Sequence, residues 1–239
     1  MINVKSLTKK IDSVLAVDNI SFECAKGEVC GLLGANGAGK TSTMRMLATI
    51  LKPTSGTAVV NGFDVVTNSI DVRRNIGVLS GEMGLYSRLT AEENINYFGQ
   101  LYGLTQQYVK LRINELFSLL DMQEYRSRRT EGFSKGMKQK VNIVRAIIHD
   151  PPILLLDEPT SGLDVISSRT VLEFIKKGRT EGKCILFATH IMAEAEELCD
   201  RIIIMNKGAI VAQGTLAELC EITGKRTLEE AFIRLVGVR

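Results

Sequence analysis

Eight residues between two apolar segments have the composition of a phosphate-binding loop. The stretch GANGAGKT, residues 34–41, fits the pattern G-x-x-x-x-G-K-[ST] and stands between a strand-like segment and a helical one, a context that disfavours a plain glycine turn. Its glycines let successive backbone N–H groups face one anion, and the start of the following helix adds partial positive charge. We expect Lys40 to reach the terminal phosphates of a nucleoside triphosphate and Thr41 to bind Mg²⁺ through its hydroxyl. The predicted nucleotide-binding residues are Gly34, Asn36, Gly37, Ala38, Gly39, Lys40, Thr41 and Ser42.

Two adjacent acids follow the apolar run ILLL at 153–156. Because consecutive strand residues point to opposite faces, Asp157 and Glu158 are expected to do different jobs. Asp157 suits the coordination shell of Mg²⁺ beside a phosphate-binding loop, and Glu158 suits the orientation and polarisation of an attacking water. The alternative is that both acids are simply solvated at the end of a strand. The four large apolar residues before them disfavour this, because they direct the strand into the core.

A histidine ends another apolar segment, CILFATH. In open α/β sheets the ligand crevice lies at the carboxyl ends of the strands, so parallel strands would bring His190, Asp157 and Gly34 to one edge. A neutral imidazole there could hydrogen-bond the γ-phosphate or the water, which makes His190 a candidate catalytic residue with Glu158 and Lys40. A lone histidine is more often structural. We interpret His149 in that way, as a favourable contact with a helix end.

The elements that must position these residues alternate between apolar strands and helical patterns, which predicts an α/β fold with helices on the faces of a sheet. Residues 28–33, 153–156, 184–189 and 201–205 are the predicted buried strands, the last of them turning into a hairpin at Asn206-Lys207-Gly208. The first 30 residues and residues 57–66 are expected to form a second, small sheet. Met44, Leu47, Ala48 and Leu51 predict a helix from the loop as far as Pro53.

The pattern changes to helical spacing between about residues 88 and 149, which predicts a helical insert in the α/β domain. A tail at 215–239 contains Thr227 and Glu230 in capping-box spacing, followed by one apolar stripe. The whole chain of 239 residues is predicted to be one enlarged domain.

Composition restricts the class of protein. The net charge of +3 is too small to argue for nucleic acid, and no segment has the roughly 18 to 20 apolar residues of a membrane span. The N-terminus lacks the apolar core of a secretory signal. The five cysteines are scattered, odd in number and outside any C-x-x-C pair, which fits a reduced, intracellular setting with small buried thiols.

A second anion site is predicted upstream of the acids, in the segment FSKGM. Ser134 is a good N-cap for a helix whose apolar face carries Met137, Val141, Val144 and Ile148. Ser134, Lys135 and Gly136 would then present a hydroxyl and free N–H groups at a helix start. On local grounds alone, an ordinary capped helix is the better explanation of the segment.

Across nearly its whole length the sequence resembles the ATP-binding cassette (ABC) ATPase family. FSKGM stands where that family has its LSGGQ signature, LLLDEP matches the Walker B strand, SGLD at 161–164 the D-loop and ATH the switch histidine. The resemblance implies a P-loop NTPase (RecA-like) core with an antiparallel β subdomain and a helical insert carrying the signature. It also implies a head-to-tail dimer, in which the loop of one copy and Ser134–Gly136 of the other bind each ATP, while Asp164 communicates across the interface.

The sequence departs from the family pattern at three places. Gly81, between Ser80 and Glu82, stands where the family has a glutamine that contacts Mg²⁺, and Glu82 is the candidate replacement. Ile11 stands where an aromatic residue stacks on adenine, so apolar contact is expected instead. Lys135 and Met137 replace the usual glycine and glutamine of the signature.

FSKGM and GLYSRLTAEEN resemble the ATP-binding subunits of bacterial exporters whose membrane chains are separate polypeptides, including the NatA-type sodium-efflux ATPases. That resemblance implies an ATP hydrolase using ATP and Mg²⁺, a permease partner, a second copy of the chain, and a place at the cytoplasmic face of the membrane. A soluble ABC-type ATPase acting on nucleic acid or in translation is the alternative, but such proteins usually add a coiled coil or a second cassette. A small-molecule kinase would have no use for FSKGM.

Overall fold

The structure is a computed structural model that describes residues 1–80 and 84–237. Within those residues the larger sheet has six strands in the order β10-β9-β3-β8-β7-β6, and all but the antiparallel edge strand β10 run parallel. Its strands are β3 (Val29–Leu33), β6 (Ile76–Leu79), β7 (Ile153–Asp157), β8 (Cys184–Thr189), β9 (Arg201–Asn206) and β10 (Ala209–Gly214). The central strands β3, β7 and β8 are buried along their whole length, as their continuous apolar sequences predict.

The smaller sheet is antiparallel, with four strands in the order β2-β1-β4-β5 among the described residues. They are β1 (Ile2–Ile11), β2 (Val14–Cys24), β4 (Ser55–Val60) and β5 (Phe63–Asp64). The prediction of a second sheet from the first 30 residues and residues 57–66 is confirmed. Its β1–β2 hairpin brings the segment around Leu15 beside the phosphate-binding loop.

The helices cover both faces of the larger sheet. They are α1 (Lys40–Leu47), α2 (Ser69–Asn75), α3 (Ala91–Leu101), α4 (Gln106–Leu119), α5 (Lys135–Ile147), α6 (Val165–Thr180), α7 (Met192–Leu198), α8 (Leu216–Thr223) and α9 (Leu228–Val236), with 3-10 turns at Gln123–Tyr125 and Thr130–Gly132. Helices α3 to α5 occupy the segment predicted as a helical insert. Among the described residues, no helix is both long and apolar enough to cross a bilayer.

Two large apolar clusters hold the sheets and helices together. One fills the space between the two sheets and includes Met46 and Leu47 of α1, which fixes that helix behind the phosphate-binding loop. The other joins the larger sheet to the helical segment and includes Val144 of α5 and Phe187 of β8. Burial of this apolar area is the main favourable term in folding, so the strand ends that carry the polar residues stand on a rigid base.

Helix α1 is shorter than its sequence predicts. The apolar spacing continues to Leu51, but the helix ends at Leu47, and Thr49 has a left-handed backbone with φ 61°. Leu51 still packs against the core from the turn that follows. The apolar spacing therefore predicts correctly that Leu51 is packed against the core, but it overestimates the length of the helix.

The interpretation of His149 as a charge–dipole contact is wrong. Burial lowers the pKa of His149 to about 4, so the imidazole is neutral at physiological pH. Its Nε2 atom hydrogen-bonds the Ile76 carbonyl at 3.1 Å, and its ring stacks on Tyr102. This histidine is a packed aromatic between α3 and the strand β6.

The C-terminal helix is capped in part as predicted. Thr227 accepts a hydrogen bond from the Glu230 backbone N–H at 3.3 Å, which fixes the start of α9. The Glu230 carboxylate does not complete the box, since it accepts instead from the backbone N–H of Arg226 at 3.1 Å. Leu228 and Ala231 are buried as the apolar stripe predicts, with Phe232 and Leu235 packed beside them.

Candidate nucleotide site

The carboxyl ends of three adjacent strands bring the predicted residues together. Strand β3 ends at Leu33, directly before Gly34, and pairs with β8 so that Leu33 lies opposite Thr189. On the other side of β8, Asp157 lies opposite Ala188. Glu158, His190 and the loop after β3 therefore meet at one edge of the sheet, as the sequence predicts.

The phosphate-binding loop is held in a conformation that requires glycine at its end. Gly39 has φ 104°, and a methyl group there would lie 2.7 Å from the Ala16 carbonyl oxygen. The hairpin turn after β9 supports the loop, because the Gly208 backbone N–H donates to the Ala38 carbonyl at 3.0 Å. No side chain caps α1, so the first N–H groups of that helix face the loop's opening and are available to an anion.

Lys40 lies inside this loop. Its side chain is 5% exposed, and its ammonium donates to the carbonyls of Gly34 at 2.7 Å and Ala35 at 3.3 Å. Burial lowers the pKa of Lys40, while the charges of Glu158 and Asp157 oppose that shift. The Lys40 ammonium is thus held beside the strand ends, with Glu158 Oε1 at 3.9 Å from Lys40 Nζ.

Asp157 has the features of a ligand for a hard cation. It is 8% exposed, and its Oδ1 atom has no hydrogen-bond partner in the part of the chain that the structure describes. Burial raises the pKa of the Asp157 carboxyl, a shift that the hydrogen bond with Thr41 opposes. A divalent cation between Asp157 and Thr41 would satisfy the free oxygen and favour the ionised carboxylate, so these two residues fit Mg²⁺.

Glu158 stands at a strained point of the backbone. Its φ of 48° is left-handed, which is unfavourable for a residue with a side chain, and the bond from its N–H to the Ala188 carbonyl at 2.9 Å holds it there. The carboxylate turns toward His190, with 3.1 Å between Glu158 Oε1 and His190 Nδ1. The histidine is 48% exposed, so this pair faces solvent, where a nucleotide and a water can enter.

The predicted second anion site lies on a separate helix and faces outward. Ser134 caps α5 by accepting a hydrogen bond from the Met137 N–H at 3.2 Å, and both Ser134 and Lys135 are exposed. Gly136 is buried against α6, where a methyl group would lie 3.1 Å from the Ser167 hydroxyl oxygen. Ser134 is therefore free to meet a ligand from another molecule.

The segment after Glu158 joins this helix to the hydrolysis site. Gln139 of α5 donates to the Pro159 carbonyl at 2.8 Å, and Asp164 caps α6 by accepting from the Ser167 N–H at 2.9 Å. A cavity of about 300 Å³ lies where α5 meets the ends of the strands, and it is lined by Thr41, Arg45, Ser80, Lys135, Gln139, Asp157, Glu158 and Ser161. A shift of α5 can therefore be transmitted to Glu158 through directly contacting residues.

Sequence reasoning missed several residues around the loop. A cavity of about 520 Å³ is lined by Val14, Leu15, Ala16, residues 36–42, Glu158 and Lys207. Ile11, predicted to contact adenine, is not among them, although it pairs with Val14 on the same hairpin. The hairpin predicted at residues 206–208 includes Lys207 in its turn. Nothing in that local pattern, however, places the turn beside the phosphate-binding loop. The hypothesis about Glu82 lies outside the described residues.

Comparisons with known proteins agree with this geometry. Residues 17–161 match the sequence profile of the family described as ABC transporter. The chain is 49% identical to the ABC transporter ATP-binding protein NatA of Bacillus subtilis, over 92% of this chain and 90% of that protein. It is 37% identical to the linearmycin resistance ATP-binding protein LnrL of the same organism, over 100% of this chain and 79% of that one.

Solved structures agree as well. One described as the ATP-binding subunit of an ABC transporter superposes with a TM-score of 0.91 at 32% identity, covering 98% of this chain and 99% of that one. A dimeric bacterial ABC transporter cassette gives a TM-score of 0.82 at 25% identity, covering 90% and 99%. The chain therefore belongs to the ABC transporter family, as an ATP-binding and ATP-hydrolysing subunit.

Proposed function

We propose that this chain is the ATPase of an exporter whose membrane-spanning part is a separate polypeptide, and that two copies bind ATP between them head to tail. The proposal rests on one observation, that the polar groups suited to ATP lie on two separate faces of the molecule. Lys40, Asp157, Glu158 and His190 converge beside the phosphate-binding loop. Ser134 stands exposed on another helix, at a start suited to phosphate.

Each residue has a distinct role in this mechanism. Lys40 and the N–H groups at the start of α1 hold the terminal phosphates, while Thr41 and Asp157 provide oxygen ligands for Mg²⁺. When bound, Mg²⁺ neutralises charge on the phosphates. Glu158 orients and polarises the attacking water, and His190 holds the Glu158 carboxylate and can donate to the γ-phosphate. Little covalent chemistry is required, because phosphoryl transfer depends mainly on positioning and charge neutralisation.

Closure of the dimer completes the site. The Ser134 hydroxyl and the first N–H groups of α5 in one copy would bind the γ-phosphate held by the loop of the other. Two contacts then couple closure to Glu158. Gln139 bonds to Pro159, and Lys135 lies against the D-loop at Gly162. Hydrolysis removes the shared ligand and releases the two copies.

Replacing Ser134 with alanine tests the head-to-tail arrangement. Loss of a hydrogen bond to a charged group costs about 1.5–3 kcal/mol, and each dimer loses two of them, so ATP-dependent dimerisation is expected to weaken by roughly 10²- to 10⁴-fold. Sedimentation velocity with ATP measures the dimer directly, in a Glu158→Gln background whose ATP turnover is expected to be much slower.

The matched control is Thr105→Ala, which removes the N-cap of α4, where Thr105 accepts from the Tyr108 N–H at 3.3 Å. Both variants lose a cap, worth about 1 kcal/mol of stability, but only Ser134→Ala is expected to lose the dimer. Equal dimerisation of the two variants would contradict the shared ATP site.

The surface best suited to a membrane partner lies at the start of the helical segment. Tyr86, Tyr97, Leu101 and Tyr102 are each at least 40% exposed, and Tyr86 and Tyr97 pack edge to face. Exposed aromatic side chains concentrated in one region are typical of an interface with another protein. This contact would place the chain at the cytoplasmic face of the membrane.

Sodium is the first cargo to test, because NatA is the relative with 49% identity. The chain is co-expressed with the membrane protein encoded beside it, and inside-out vesicles are suspended in a medium that contains ²²Na⁺. Added ATP is expected to drive Na⁺ into the lumen, and vesicles carrying Glu158→Gln should accumulate only the amount seen without ATP. ATP hydrolysis by the complex with no Na⁺ uptake would exclude sodium while leaving the ATPase assignment intact.

A further inference from the structure

A buried glutamate lies behind the turn that presents His190. Glu194 stands in the first turn of α7 and is 8% exposed. Its Oε2 atom accepts a hydrogen bond at 3.1 Å from the hydroxyl of Thr189, the last residue of β8, which is also buried. Burying a carboxylate is unfavourable unless it is hydrogen-bonded, so the place of this glutamate in the fold is explained by the group that it bonds.

The Thr189 hydroxyl closes a small ring around His190. Its oxygen accepts from the Ile191 backbone N–H at 3.0 Å, so the residues before and after His190 are joined to each other. A hydroxyl has one proton to donate, and an ionised carboxylate can only accept. Glu194 therefore takes the proton of Thr189 and leaves the lone pairs of the oxygen for the Ile191 N–H. The carboxylate fixes the direction of the hydroxyl, and with it the shape of the turn at His190.

The orientation of His190 depends on its backbone. Its side chain is 48% exposed, so packing alone cannot fix the ring that lies 3.1 Å from Glu158 Oε1. The same strand end holds Glu158, because the Ala188 carbonyl accepts from the Glu158 N–H at 2.9 Å. Two adjacent residues of β8, Ala188 and Thr189, thus determine how the two functional side chains stand relative to each other.

Helix α7 gives Glu194 a rigid support. Its residues Ala195 and Leu198 are buried, and Ala195 belongs to an apolar cluster that also contains Leu33, the last residue of β3 before the phosphate-binding loop. Close packing of this kind limits movement of the helix relative to the sheet. The Glu194 carboxylate is thereby held in place against the end of β8, as a residue that orients another must be.

We propose, on the basis of the function proposed above for His190, that Glu194 is a positioning residue for ATP hydrolysis. Through the Thr189 hydroxyl it holds the turn that orients His190 toward Glu158 and the γ-phosphate. Glu194 touches no atom of ATP and transfers no proton. Misplacement of a reacting group by about 1 Å can cost roughly 100-fold in rate, so loss of the bond lowers kcat. ATP binding depends on the loop after β3 and is unchanged.

Two pairs of variants test the hydrogen bond. Thr189→Val keeps the shape of the side chain and removes the hydroxyl, whereas Thr189→Ser keeps the hydroxyl. Glu194→Ala removes the acceptor, whereas Glu194→Gln keeps an oxygen that can accept. Single-turnover hydrolysis is expected to slow by roughly 10- to 100-fold in Thr189→Val and Glu194→Ala and to stay near wild type in the two conservative variants. Calorimetry should show the same ATP affinity in all four.

The matched control is Glu197→Gln, on the same helix. Glu197 bonds to Arg169 and Lys176 of α6 at 2.7 Å each, on the exposed side of α7. This variant loses an acid from α7 without touching the turn at His190, so it should hydrolyse ATP as the wild type does.

The imidazole itself reports whether its position changes. The chain has two histidines, so protein labelled with ¹⁵N only in histidine gives signals from His149 and His190 alone. Glu194→Ala is expected to shift the His190 signals and to leave those of His149, which is stacked on Tyr102, unchanged. A general loss of stability would not single out one histidine. In a His190→Ala background, Glu194→Ala should slow hydrolysis no further, because it acts through the imidazole.

Unchanged His190 signals in Glu194→Ala, or an equal loss of rate with and without His190, would overturn the inference and leave the proposed function intact. Wild-type hydrolysis by His190→Ala would instead remove His190 from the proposed mechanism, and the positioning role of Glu194 with it. Thermal unfolding shows whether each variant is folded. If Glu194→Ala is not, the same two measurements on Thr189→Val decide between these results.

Discussion

Replacing Glu158 with glutamine is expected to lower ATP turnover by at least about 100-fold while ATP still binds, since a positioned general base contributes roughly 10²- to 10⁴-fold. The carboxylate is the group beside the loop that can polarise a water, and its Oε1 atom lies 3.1 Å from His190 Nδ1 and 3.9 Å from Lys40 Nζ. An amide of the same shape keeps the packing but cannot accept the proton. Steady-state phosphate release and calorimetric ATP binding separate turnover from affinity.

The same substitution should leave stability unchanged. Glutamine and glutamate meet the same unfavourable backbone at φ 48°, so the strain at this position is conserved. Glu181→Gln, an exposed acid after the end of α6, is the matched control and should retain wild-type turnover. Wild-type hydrolysis by Glu158→Gln would remove Glu158 from the mechanism, and loss of ATP binding would indicate a structural role instead.

The features that could be predicted from the sequence are those that depend on local residue patterns and on the direction of the strands. The apolar runs before Gly34, Asp157 and His190 identify buried strands, and parallel strands must deliver their carboxyl ends to one edge. The identity of the residues there then follows from the motifs. For the same reason the exposed N-cap at Ser134 could be predicted, because a cap is a local interaction.

The rest depends on contacts between distant segments. Lys207 and Leu15 line the phosphate-binding loop only because hairpins from two different sheets fold beside it, and no local pattern predicts either approach. His149 could not be distinguished from a charged helix-end residue without its stacking partner Tyr102. Cys24 and Cys184 look unrelated in sequence, since the 3.4 Å between their sulfur atoms arises from the packing of one sheet on the other.

Replacing Lys40 with alanine is expected to abolish measurable ATP binding. Hydrogen bonds to charged groups are worth about 1.5–3 kcal/mol each, so loss of an ammonium that contacts two phosphates weakens binding by roughly 100-fold or more. The loop conformation is also less well held, because the Gly34 and Ala35 carbonyls lose the donor that lies 2.7 and 3.3 Å from them in the native chain. Isothermal titration with Mg²⁺ and ATP measures the affinity.

Two further variants separate charge from shape. Lys177→Ala removes a 43% exposed lysine on α6 and should bind ATP as the wild type does. Lys40→Arg keeps the charge but places a larger, planar group where the native side chain is only 5% exposed, so it is expected to recover only part of the affinity. Undiminished affinity of Lys40→Ala would show that the backbone N–H groups suffice to hold the phosphates. In that case the buried ammonium, 3.9 Å from Glu158, would serve chiefly to balance the acids at the strand ends rather than to bind nucleotide.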